Sequence, residues 1–178
     1  ELSIDNNLIP VLERKDVYVD ADRIAKGLSL QKYLPFNLLP WEKYQFAVIA
    51  GVFLRMPGMP FDDIYFHEIR DIMGRGSGKN GFIDFLALYF ISPYHGVKGY
   101  NVDLIANGED QAGTSIKDVA DFVKEPVDRK YARVLNANFK AYGEKVVGKK
   151  MNAEFRLNTT STKNKDSKRS GCIIVDEK

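Results

Sequence analysis

The 178 residues include one cysteine, Cys172, one tryptophan, Trp41, and two histidines, His67 and His95. A single thiol closes no internal disulfide, which fits a reducing compartment. Cys172 lies in the apolar run Cys172-Ile173-Ile174-Val175 and reads as a small buried hydrophobe rather than a nucleophile. The two histidines stand too far apart, and too isolated from the cysteine, for a zinc site. Long hydrophobic runs are missing too. Phe85–Ile91 is the longest candidate, well short of the roughly 20 apolar residues of a membrane span, and no secretory signal is visible. Charge of one sign is also lacking: 26 Lys and Arg face 24 Asp and Glu, for a net charge of +2. Contact with a polyanion therefore needs a local patch. No internal repeat appears.

What is present is a globular composition, 44% hydrophobic and 28% charged, in a chain long enough for one domain with a sizeable core. Residues 1–40 read as a lead-in. Within them Asp20 is placed to cap a short helix that opens at Ala21, and Pro35 and Pro40 punctuate a loop. Trp41–Leu54 carries a helical apolar period. The spacing then predicts a strand over Ile64–Met73, although Glu68, Arg70 and Asp71 make it unusually polar for a central parallel strand. Gly81–Ile91 reads as a helix buried nearly all round, Tyr100–Ala106 as a strand, and Glu109–Lys124 as a helix. Residues 127–142 read as a further helix. Glu144–Val147 and Ala153–Leu157 read as short strands joined around Gly148, and a strand opens at Gly171. Strand, loop and helix alternate as in an α/β fold with a parallel central sheet flanked by helices.

Two stretches carry chemistry. In Met73-Gly74-Arg75-Gly76-Ser77-Gly78-Lys79-Asn80, glycines let the backbone wrap closely and turn N–H groups inward. A helix start behind them favours anions, and Lys79 supplies a cation for β and γ oxygens. The match to G-x-x-x-x-G-K-[ST] is imperfect. Met73 takes the first glycine position, and Asn80 takes the place of the hydroxyl that holds Mg²⁺, where an amide oxygen or an intervening water would have to serve. The plainer alternative is a glycine-rich turn before a core helix. In Gly171-Cys-Ile-Ile-Val-Asp-Glu177, an apolar strand ends in two acids, at the carboxyl edge where open α/β sheets bind ligands. Asp176 there suits a metal and Glu177 suits activation of water. Any strand ending in solvated acids has the same appearance. Lys149, Lys150, Arg156, Lys163, Lys165, Lys168 and Arg169 form a basic cluster able to meet nucleic-acid phosphates.

Together these pieces resemble the N-terminal ATPase domain of the large terminase subunit of tailed bacteriophages, over about Leu39–Glu177. The resemblance is carried by Leu39–Phe46, Gly74–Asn80, Gly99–Asn107, Phe155–Thr159 and Cys172–Glu177, in order and at the family's spacing. It implies a P-loop NTPase fold over residues 41–178, left incomplete because the chain stops one residue after Glu177 and begins at Glu1 rather than Met. It implies a Mg²⁺-dependent ATPase that drives packaging of double-stranded DNA into procapsids. The loop residues Gly74–Asn80 would hold ATP, with Arg75 implicated in hydrolysis. Gln45, four residues after Trp41, would read adenine, and Asp176 with Asn80 would hold the metal. The implied setting is a homo-oligomeric ring in the host cell cytoplasm, with portal protein and the small terminase subunit as partners and no membrane. The nuclease domain of the full-length family members has no counterpart in these residues. A helicase-like DNA translocase, or a nucleotide-binding or assembly module without turnover, remains as an alternative.

Overall fold

The computed structural model describes residues 8–72, 74, 76–106, 109–158 and 169–176. The chain divides into two compact units, Glu1–Leu28 with Leu39–Arg75, and Ser29–Leu38 with Gly76–Lys178.

The first unit holds helix α1 (8–12), strand β1 (Val17–Val19), helices α2 (Ala21–Leu28) and α3 (Pro40–Gly51), and strands β2 (Val52–Leu54) and β3 (Asp63–Ile64). Asp20 caps α2 as expected, its carboxylate accepting the Arg23 amide at 2.8 Å. Pro40 stands at the start of α3, where a missing N–H costs nothing. The Glu42 carboxylate reaches back to accept the Leu39 amide at 2.6 Å. Gly51 ends the helix, and a Cβ there would run into the Ile24 side chain, so only glycine lets α3 close onto α2. The sheet order is β1-β2-β3, antiparallel throughout.

Two expectations are corrected in this unit. The helix expected over Trp41–Leu54 stops at Gly51, because Val52-Phe53-Leu54 pairs with Val17–Val19, and β-branched and aromatic residues suit a pleated surface. The strand expected over Ile64–Met73 is present only as Asp63–Ile64, antiparallel to β2, and residues 65–72 form no strand. Its polar side chains are satisfied locally. Arg70 donates to Glu68 at 2.5 Å and Gln45 donates to Asp71, while Ile72 is fully exposed. Met73 lies outside the described residues.

The second unit opens with a 3₁₀ turn (Ser29–Tyr33), then α4 (Lys79–Phe90), β4 (Val102–Ala106), α5 (Glu109–Lys124), α6 (Arg129–Asn138), β5 (Phe139–Ala141), β6 (Lys145–Gly148), β7 (Ala153–Leu157) and β8 (Cys172–Asp176). Its sheet runs β5-β6-β7-β4-β8. β4 is parallel to β7 and β8, whereas β6 is antiparallel to both of its neighbours, β5 and β7. The parallel sheet expected from the sequence is therefore correct for three strands only. The turns at 142–144 and 149–152 are too short for a crossover, so the strands they join must run antiparallel. The helix expected over 127–142 ends at Asn138, and Phe139–Ala141 turns back as β5.

Every residue of α4 from Phe82 to Phe90 is buried, in keeping with a sequence that is apolar there but for Asp84 and the Tyr89 hydroxyl. α4 packs against α5, and α5 crosses β4, β5, β6 and β7. Ile116, Val119, Ala120 and Val123 of α5, with Val102, Leu104, Val146 and Phe155 of the sheet, form the core. A Cβ on Gly148 would strike the Ile91 carbonyl, so the end of α4 sits directly on β6.

Candidate nucleotide site

The loop that leads into α4 is shaped by its glycines. Gly76 has φ 78° and Gly78 has φ 90°, a left-handed conformation that side chains with a Cβ adopt at a cost. Gly78 is the N-cap of α4 and supplies no side-chain cap. The first intrahelical bond of α4 runs from the Phe82 amide to the Gly78 carbonyl at 3.2 Å. The amides of Lys79, Asn80 and Gly81 therefore have no acceptor within the helix, and the positive end of its dipole is uncapped. A Cβ built on Gly74 or Gly76 meets nothing within 4 Å, so the loop has an open side. The Ser77 hydroxyl oxygen is buried without a hydrogen-bond partner. Asn80 is exposed beside Lys79.

β8 delivers the second component. Its register with β4 pairs Cys172 with Val102, Ile174 with Leu104 and Asp176 with Ala106, so Asp176 stands at the carboxyl end of the parallel strands. The Lys79 ammonium donates to the Asp176 carboxylate across 97 residues of sequence. The pair is partly buried, with side-chain exposures of 30% and 14%. The glycine loop and the strand-end acid, read from opposite ends of the sequence, thus meet in one place. Arg75 and Glu177 lie outside the described residues. Trp41 and Gln45 lie on α3 in the first unit. Gln45 is engaged by Asp71 through its Nε2, and its Oε1 is buried without a partner.

A polar network that sequence reasoning missed holds β8 in register. The Asn101 carbonyl accepts the amides of Gly171 and Cys172 at 2.8 and 3.0 Å. The Asn101 side-chain amide donates to the Arg169 carbonyl at 2.9 Å and its side-chain oxygen accepts the Glu154 amide at 3.0 Å. Asp103, 1% exposed, accepts from Arg156 Nε at 2.6 Å and from the Ser170 hydroxyl. The available signal was an aspartate inside the apolar run Val102–Ala106. Arg156, expected in the basic cluster, is committed to this carboxylate, so it leaves the surface patch. Lys163, Lys165 and Lys168 lie outside the described residues. Cys172 is half-buried, and burial, with the nearby Asp103 carboxylate, pushes its thiol up to about 11, in keeping with an inert hydrophobe.

Behind the loop, Asp84 of α4 is 2% exposed. Burial first, and then the Asp118 carboxylate on α5, push its acid up to about 8, against a smaller opposite pull from the Ser115 hydroxyl.

The site residues fit a phosphate chain with a hard cation. Lys79, the uncapped amides and the partnerless Ser77 hydroxyl can face phosphate oxygens, and Asp176 is a hard oxygen ligand. Among the described residues no group of three or more His, Cys, Asp or Glu could hold a metal ion by itself. One carboxylate is what a Mg²⁺ shared with substrate phosphates uses.

A crystal structure of the HK97 bacteriophage large terminase superposes on 87% of this chain with a TM-score of 0.64. The fold is that of part of this terminase. Sequence identity is 15%, and the chain spans 31% of the terminase's length. No protein-family model matches the sequence, and no curated protein matches it significantly. Among the described residues no helix is long and apolar enough to cross a membrane.

Proposed function

We propose that the chain is the ATP-hydrolysing motor portion of a phage large terminase, powering packaging of double-stranded DNA. The observation that carries this reading is the Lys79–Asp176 pair at the mouth of a glycine loop, within a terminase fold. In the reaction, loop amides and Lys79 hold the β and γ phosphates, and Arg75 offsets charge that develops on the transferred group. Glu177 aligns and deprotonates the attacking water. Mg²⁺, held by Asp176 and by Asn80 directly or through water, supplies charge neutralisation of the phosphate oxygens when bound. Gln45, beside Trp41, reads the adenine edge, since an amide both donates and accepts. The partners are duplex DNA, portal protein and small terminase subunit, in a homo-oligomeric ring in the host cytoplasm.

Two substitutions test the roles. Lys79→Ala removes a charge-assisted contact worth about 1.5–3 kcal/mol, so nucleotide affinity falls roughly 10- to 100-fold. Glu177→Gln keeps nucleotide affinity and loses about 10²- to 10⁴-fold in phosphate release. Parent turnover in Glu177→Gln would remove that residue from the mechanism. Mg²⁺-dependent binding by the parent without any phosphate release, even when assembled, would leave a nucleotide-binding or assembly module.

A further inference from the structure

The net charge of +2 conceals a strong segregation. Residues 129–150 contain seven Lys and Arg and a single acid, Glu144. Two of these cations are matched by carboxylates, Lys130 by Asp128 at 2.7 Å and Lys145 by Glu154 at 2.7 Å. Arg129, Arg133, Lys140, Lys149 and Lys150 are all exposed, and none has an ion-pair partner among the described residues.

The fold gathers these five from three elements. Arg129 and Arg133 are spaced i, i+4 on α6 and share a face. Lys149 belongs to the turn after β6, yet its amide donates to the Asn138 carbonyl at 2.8 Å. Its ammonium donates to the Asn136 carbonyl at 2.5 Å. That tether fixes Lys149 against the last turn of α6, one turn beyond Arg133. Lys140 projects from β5 opposite Val147, with its ammonium over the exposed Tyr142 ring at 4.9 Å. The result is a ridge about 15 Å long on α6, continued onto the β5–β6 hairpin.

We infer that this ridge is a docking surface for the phosphate backbone of duplex DNA, bound without regard to sequence. A row of cations without carboxylate partners among the described residues, set along a regular element, complements a row of phosphates. The basic cluster read from the sequence is thereby relocated. Lys149 and Lys150 stay in it, Arg156 leaves, and α6 joins. The choice of duplex DNA rests on the packaging reading, but the ridge and the nucleotide site fail separately.

The test is fluorescence anisotropy of the intact chain with a labelled 30-base-pair duplex, without nucleotide, from 50 to 200 mM salt. If four phosphates are engaged, affinity falls about 100-fold over that range. The variant Arg129→Gln/Arg133→Gln/Lys149→Gln/Lys150→Gln should bind at least ten-fold more weakly at 100 mM salt and lose most of the salt dependence. A control, Lys15→Gln/Lys43→Gln/Lys98→Gln/Lys117→Gln, removes the same charge from exposed sites elsewhere and should bind like the parent. Lys79→Ala should also bind duplex like the parent. Equal weakening of the two quadruple variants, or no duplex binding by the parent at 50 mM salt, overturns the inference. So does a ridge variant that keeps duplex binding but loses binding to an acidic polypeptide, which would make the ridge a protein interface.

Discussion

Asp84→Asn is expected to stabilise the chain, and by an amount that grows with pH. Asp84 sits on α4, the helix that follows the glycine loop, 2% exposed, with Oδ1 buried and unpartnered. Its ordinary value of 3.8 is displaced to about 8. Between those limits the folded chain holds a proton that the unfolded chain has released. Stability from this group is complete below pH 4 and is lost as pH rises toward 8, at about 1.4 kcal/mol per pH unit. From pH 5 to pH 7 the loss is about 2.5 kcal/mol. An asparagine of the same shape does not titrate, and its amide can donate to the Ser115 hydroxyl. Urea unfolding of parent and variant at pH 5, 6 and 7 isolates the effect, because all other titrating groups cancel in the difference. The variant's advantage should widen by about 2.5 kcal/mol across this window. Parallel pH profiles for the two proteins would refute the argument and place Asp84 in contact with water or a cation.

Two further outcomes follow from packing. Gly148→Ala should destabilise the fold by about 2–3 kcal/mol in thermal or urea melts, because the new methyl meets the Ile91 carbonyl. Arg156→Met should cost about 3–5 kcal/mol by stranding the buried Asp103 carboxylate. The double variant Arg156→Met/Asp103→Leu should recover most of that loss, whereas an equal loss in both would show that Arg156 contributes through packing alone.

The helices of the second unit were legible because their apolar content is extreme or regularly spaced. Glu109–Lys124 is a helix at the bounds expected, and α4 differs from its expected start by two residues. The errors share a cause. Val52–Leu54 and Phe139–Ala141 each extend the apolar pattern of the helix before them, and each becomes a strand through its pairing, Val52–Leu54 with the distant Val17–Val19 and Phe139–Ala141 with the next strand of its hairpin. The stretch after Ile64 differs in the opposite sense, since a strand needs a neighbour to pair with and residues 65–72 form no ladder with any described strand. At the site, Lys79 and Asp176 were readable because each stands at the end of an apolar element, where polar residues are conspicuous. Asn101 and Asp103 were hidden inside β4 and before it, where only the tertiary contacts explain a polar residue. The segment Ser29–Leu38 was read as part of a lead-in. Its Leu30, Tyr33, Leu34 and Leu38 are buried, and it belongs to the unit that contains Gly76–Asn80 and the rest of α4.

β8 closes one side of its sheet with hydrogen bonds to β4 alone among the described strands, and Ile173 and Val175 are 57% and 56% exposed. Such a rim is a ready template for any extended chain, including another copy of itself. Pairing of that kind is bimolecular, so the backbone groups of β8 left open among the described strands tie this sheet's behaviour to the concentration of available partner strands as well as to the packing of its core.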